Sequence, residues 1–97
     1  MTAKASVSRL LAPVLQWLAG QRDPWEADLE YWRIRQELMD EGEIFDGPPA
    51  RFLSNIDTAM DAFSPDPDRS PDEIDARQLQ SEVEIALAHL RDLGYVD

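Results

Sequence analysis

The amino-acid sequence predicts an all-α fold, an antiparallel up-down four-helix bundle forming a single domain over residues 1–97. Three observations predict it. Apolar residues recur at spacings of three and four in four separate windows, the period of helices that bury one face. Between the windows stand clusters of Gly, Pro and Asp that stop one helix and start the next. No stretch alternates apolar and polar residues as a half-buried strand would, and no internal repeat is present. Connections of roughly 3–10 residues between consecutive helices favour antiparallel neighbours.

The first window holds Val7, Leu10, Leu11, Val14, Leu15 and Leu18 on one face, with Gly20 as a natural stop. Pro13 allows two arrangements: a helix that begins about a turn before it, or a longer helix kinked there. Asp23-Pro24-Trp25-Glu26 is a compact start signal, with an N-cap acid, Pro at the first helical position and Glu at the third. The second helix runs from there to about Met39. Trp25, Leu29 and Trp32 form one line and Tyr31, Ile34 and Leu38 an adjacent one, so a wide buried stripe is expected. Trp17, Trp25 and Trp32 are read as core or core-rim aromatics. Gly42 ends this helix, and a loop containing Gly47-Pro48-Pro49 follows.

Phe52, Leu53, Ile56, Met60 and Phe63 mark the third helix, opening near Pro49 and ending at Ser64-Pro65. Asp57 and Asp61 lie four apart on its expected outward side. Asp75 caps the fourth helix, with Gln78 three residues on in a capping-box arrangement. Leu79, Val83, Ala86, Leu87, Leu90 and Leu93 are expected to face inward, and Gly94 closes the helix.

A chain of 97 residues with 43% hydrophobic content and three Trp can build one core without staples. With no cysteine it has no disulfide framework and no thiolate metal site, which suits a reducing cytoplasm. The net charge of −11 argues against two classes of partner. Nucleic acid requires cations for its phosphates, and an anionic membrane would repel the chain. Lys4 and Arg9 precede the apolar run Leu10–Ala19 and superficially suggest a secretory signal. Pro13 and Gln16 interrupt that run, small-residue cleavage chemistry is missing, and helical spacing explains the pattern better. A cytoplasmic monomer is expected.

The charge is unevenly spread. Residues 1–56 carry nine acids and six bases; residues 57–97 carry eleven acids and three bases. From Asp57 to Asp75 there are seven carboxylates against Arg69 alone, and Pro65, Pro67 and Pro71 restrict the backbone between them. A stiff acidic loop of this kind suits either a docking surface for a strongly basic partner, whose encounter its field would hasten, or simply a solvated turn in an acidic protein. Asp66, Asp68, Ser70 and Asp72 follow the alternate spacing of an EF-hand. Pro71 replaces the required Gly, however, and Arg77 occupies the place of the bidentate Glu, so no metal and no other cofactor is expected. His89 stands alone on the last helix, and there is neither a nucleophile elbow nor a phosphate loop, so no enzyme activity is expected.

Met60-Asp61-Ala62-Phe63, then Pro65-Asp66-Pro67-Asp68-Arg69, Glu73-Ile74-Asp75, Leu79 and Glu82-Val83 give residues 59–83 a sequence that resembles the colicin D immunity family. Residues 10–20 and 25–39 agree with it mainly in pattern, and Ser64 departs from an acid before the Pro-Asp-x-Asp-Arg run. The resemblance implies a protein that binds and blocks a bacterial ribonuclease toxin directed against transfer RNA. Its partner would be the toxin's basic nuclease domain, bound one to one. On that reading Asp61, Asp66 and Asp68 make the contacts, with Asp57, Asp72 and Glu73 as flanking steering charges. Pro65, Arg69 and Asp75 would hold the loop, Arg69 by pairing with Asp66, Asp72 or Asp75. The rival readings are an acidic helical adaptor or scaffold with no toxin partner, and a metal switch on the Asp-rich loop.

Overall fold

The computed structural model describes residues 3–97, which form four helices: α1 (Ala3–Leu18), α2 (Pro24–Asp40), α3 (Pro48–Ala62) and α4 (Ala76–Asp92). Two of the starts use the signals read from sequence. Asp23 accepts hydrogen bonds from the backbone N–H groups of Trp25 (2.9 Å) and Glu26 (3.4 Å), and Pro24 opens α2. Asp75 accepts from Gln78 N–H at 2.8 Å to open α4. Each satisfies donors that the first helical turn leaves without partners. At α3 no side chain caps the start. Pro48 and Pro49 occupy its first positions, where a missing N–H costs nothing.

Three of the four stops share one device. At the end of α2, Gly42 takes φ 80°, its N–H bonds to Met39 O (3.0 Å), and Glu43 N–H reaches back to Leu38 O (2.9 Å). Only a residue without Cβ enters that left-handed conformation cheaply. The same pair of bonds recurs at the ends of α1 and α4. The end of α3 differs. Phe63 is extended, with φ −70° and ψ 133°, and leads directly into the acidic loop.

Pro13 lies inside α1, so the longer of the two anticipated helices forms. Its ring is buried, and Arg9 O gives up the helical donor that Pro lacks. The core is a single cluster. It takes Val7, Leu10, Leu11 and Val14 from α1; Tyr31, Ile34 and Leu38 from α2; Leu53, Ile56, Ala59 and Met60 from α3; and Leu79, Val83, Ala86, Leu87 and Leu90 from α4. α1 packs closely on α2, and α3 on α4. The radius of gyration is 13.1 Å, close to the ~13 Å of a compact domain of this length.

The wide stripe expected on α2 is narrower. Ala27, Tyr31, Ile34 and Leu38 are buried, whereas Leu29 is 53% exposed and Trp25 41%. At about 100° per residue, Leu29 stands roughly 170° from the centre of the buried line. Trp25 and Trp32 flank the core instead of filling it; Trp32 packs its ring edge-on to Tyr31 at 5.3 Å. Leu93, expected inside, is 42% exposed because it is the C-cap residue beyond the last turn of α4. Leu15 and Leu18 likewise lie outside the fully buried set.

Candidate functional site

The acidic loop is built on a clamp. Ile74 N–H donates to Ala62 O (2.9 Å), and Ser64 N–H donates to Ile74 O (3.1 Å), pairing Phe63 with Ile74 in a single parallel bridge. Phe63 is buried and Ile74 packs against the core, so the clamp is anchored to the helices. Two turns fill the space between. In the first, Arg69 N–H bonds to Asp66 O (3.2 Å), Asp68 N–H to Asp66 Oδ1 (2.9 Å), and Asp66 N–H to Ser64 Oγ (3.2 Å). In the second, Glu73 N–H bonds to Ser70 O (3.0 Å), and Glu73 Oε1 accepts from Ser70 N–H (2.7 Å). Pro65, Pro67 and Pro71 sit where the turns need no further donor. These side chain-to-backbone bonds are what Asp and Ser contribute to turns generally.

The structure therefore sorts the nine residues singled out by sequence. Asp66 and Glu73 each commit an oxygen to the loop's own amides, and Asp75 caps α4. Asp61, Asp68 and Asp72 are exposed, and their carboxylates make no hydrogen bond or ion pair among the described residues. Arg69 does not pair with Asp66, Asp72 or Asp75. Its Nε donates to Ser64 O at 3.3 Å, since the first turn brings it back over the start of the loop. Asp66 and Asp75 are meanwhile held by amides. Arg69 thus does stitch the loop, through a carbonyl.

Asp57 is the larger correction. It does not face outward but lies in the α2/α3 seam, accepting from the Tyr31 hydroxyl (2.5 Å) and from Arg35 Nη2 (2.9 Å). Its side chain is only 23% exposed. Burial, and then the Asp57 charge, push the Tyr31 phenol well above its ordinary pKa, so it stays a donor at every physiological pH.

Elsewhere the basic residues of the first half are occupied. Arg9 bridges Glu37 and Glu41 (3.1 and 3.0 Å), and Arg33 bridges Glu30 and Glu37 along α2. Its bonds to Arg33 hold the Glu30 carboxyl below the usual carboxylate range. Neither Arg9 nor Arg33 pairs with a loop acid. His89 stacks on Phe52, ring centroids 4.5 Å apart, which gives the lone histidine a packing role. Among the described residues no three His, Cys, Asp or Glu side chains converge on a metal-binding position. None of the described helices is long and apolar enough to cross a membrane.

Asp28 was missed by sequence reasoning. It is 95% buried, at 5% relative exposure, on the α3-facing flank of α2, and its Oδ1 has no hydrogen-bond partner among the described residues. Burial pushes its carboxyl up to about 6; the Trp32 indole opposes that rise and the nearby Asp61 charge adds to it. A signal did exist. Asp28 is one residue from buried Ala27 and within a quarter turn of the α2 stripe, where a solvated acid is out of place. Compared with known proteins, the chain matches no family model, no curated protein and no solved structure.

Proposed function

We propose that this chain is an immunity protein, which binds the ribonuclease domain of a cognate bacterial toxin directed against transfer RNA and covers its active site. The observation that carries this reading is the clamped loop bearing Asp68 and Asp72, with Asp61 beside it: exposed carboxylates without internal partners on a backbone fixed at both ends. A nuclease acting on RNA presents Lys and Arg to phosphates, and a preorganised acidic surface occupies those positions in their place. Preorganisation matters because a floppy loop would lose ordering entropy on binding. The resemblance of residues 59–83 to the colicin D immunity family supports the same partner.

On this reading Asp61, Asp68 and Asp72 meet the toxin, and Asp66, Glu73 and Arg69 keep the loop in shape. Asp57 belongs to the scaffold. The scaffold is an up-down antiparallel bundle, as short connections between consecutive close-packed helices favour. The chain acts in the cytoplasm, where the transfer RNA is, as a monomer that binds one toxin domain and needs no catalysis of its own. The test mixes the purified chain with a transfer-RNA ribonuclease domain of the colicin D type. A one-to-one complex and loss of cleavage are expected, both weakened by Asp68→Ala. Absence of any complex with such a domain, from a chain shown to be folded, overturns the reading and leaves the adaptor role.

A further inference from the structure

The buried Asp28 carboxylate has the Trp32 indole beside it, but its Oδ1 has no hydrogen-bond partner among the described residues. A carboxyl group with an oxygen lacking a partner is costly to keep at a helix seam, and an apolar residue there would pack without that loss. Its surroundings are specific. Trp25 stands three residues before Asp28 and Trp32 four after, so both indoles neighbour it on the surface of α2. Across the seam, Trp25 touches Phe63 (ring centroids 6.3 Å apart), which brings the end of α3 and its exposed Asp61 alongside. Asp28 lies between Trp25 and Tyr31 on α2 and Asp61 between Asp57 and Phe63 on α3, and the Tyr31–Asp57 and Trp25–Phe63 contacts on either side bring the two acids to facing turns of the seam. The other titrating group near it is Tyr31, whose hydroxyl is committed to Asp57.

We propose that Asp28 and Asp61 form one receptor for a single guanidinium group, an arginine side chain supplied by the partner. The inference rests on the immunity reading and adds to it a chemically defined contact. A guanidinium fits better than an ammonium. Its planar fork can donate to two carboxylates at once, its weaker hydration makes burial cheaper, and its faces stack on indole rings. Asp28 is 5% exposed in the free protein, so the receptor must open to admit the cation. The bound cation satisfies the orphan oxygen and relieves the repulsion between the two acids. Filling the site therefore releases the proton that Asp28 otherwise retains at mildly acid pH.

The test uses the free protein, the small cation butylguanidinium, and carbon-detected NMR of the aspartate carboxyls. Butylguanidinium chloride should shift the Asp28 and Asp61 signals together and saturably, and lower the Asp28 titration midpoint by about one pH unit or more. Potassium chloride at matched ionic strength should not. In Asp28→Asn, checked for fold by circular dichroism, the saturable response of Asp61 should disappear, while Asp68→Asn should keep it. An Asp28 signal unmoved by butylguanidinium, or moved equally by potassium, overturns the receptor. That outcome is separable from the fate of the immunity reading, because no toxin is present. A failed receptor with intact toxin capture rejects this inference alone.

Discussion

Tyr31 on α2 gives its phenolic hydrogen to Asp57 on α3 at 2.5 Å, and Arg35, one turn further along α2, holds the other carboxylate oxygen at 2.9 Å. This three-residue network is the principal polar tie across the α2/α3 seam. A hydrogen bond to a charged group is worth about 1.5–3 kcal/mol when its loss leaves the partner buried. Tyr31→Phe should therefore lower stability in urea unfolding by about 1–3 kcal/mol. Asp57→Asn should do likewise while leaving the rate of toxin association nearly unchanged. An Asp57→Asn protein of full stability that associates slowly would restore Asp57 to the docking surface.

Asp28 gives the protein a pH dependence of definite sign. Its carboxyl rises from 3.8 to about 6 on folding. The folded state thus binds the proton more tightly than the unfolded chain, and the associated stability is complete below about pH 4. It is lost as pH climbs through 6, since stability falls wherever the native state holds more protons. Asp28→Asn should match the parent near pH 4 and exceed it by up to about 3 kcal/mol at pH 7. Denaturant titrations at the two pH values check this. A variant weaker than the parent at pH 7 would mean that the charged carboxylate is stabilised there.

Within the loop, the two acids flanking Pro67 should separate. The Asp68 carboxylate has no partner among the described residues, so Asp68→Ala should leave the melting temperature unchanged and, on the immunity reading, speed toxin dissociation by roughly tenfold or more. Asp66→Ala removes the acceptor for Asp68 N–H and should also destabilise the loop, by about 0.5–1.5 kcal/mol. Hydrogen exchange at the Asp68 amide reads the difference: faster in Asp66→Ala than in the parent.

The two leucines near the end of α4 test the helical register. Leu87 is 4% exposed, and Leu87→Ala should cost about 2–5 kcal/mol through the cavity it leaves. Leu93 is 42% exposed, and Leu93→Ala should stay within about 0.5 kcal/mol. Equal losses at both positions would contradict this placement of the α4 face.

Helix number and most boundaries were legible because their signals are local. Asp23-Pro24 and Asp75 cap within a turn, and Gly20, Gly42 and Gly94 stop helices through their own backbones. Pro13 was ambiguous since a buried proline inside a helix is decided by packing against the rest of the core. In the line of Trp25, Leu29 and Trp32, size suggested burial for all three; Trp32 does pack at the core rim, whereas angular position leaves Leu29 and Trp25 exposed. In the acidic stretch, sequence showed where charge accumulates but not which carboxylates are spoken for. That division depends on amides several residues off, and in the case of Asp57 on a tyrosine from another helix. Asp28 shows the same limit, as burial of a single acid is a tertiary fact.

The bridge between Phe63 and Ile74 has a consequence for how such a protein can change. It closes residues 62–74 into a ring whose ends are joined by main-chain bonds, and the side chains that shape the ring within (Ser64, Asp66, Glu73) are not those of Asp68 and Asp72. Exchanges at Asp68 or Asp72 can retarget the surface without refolding the helices. Exchanges in the core can alter how much protein survives in the cell without redrawing the surface. On the proposed immunity reading, affinity and abundance thus become separately adjustable properties, the arrangement under which a defender can follow a drifting adversary one residue at a time.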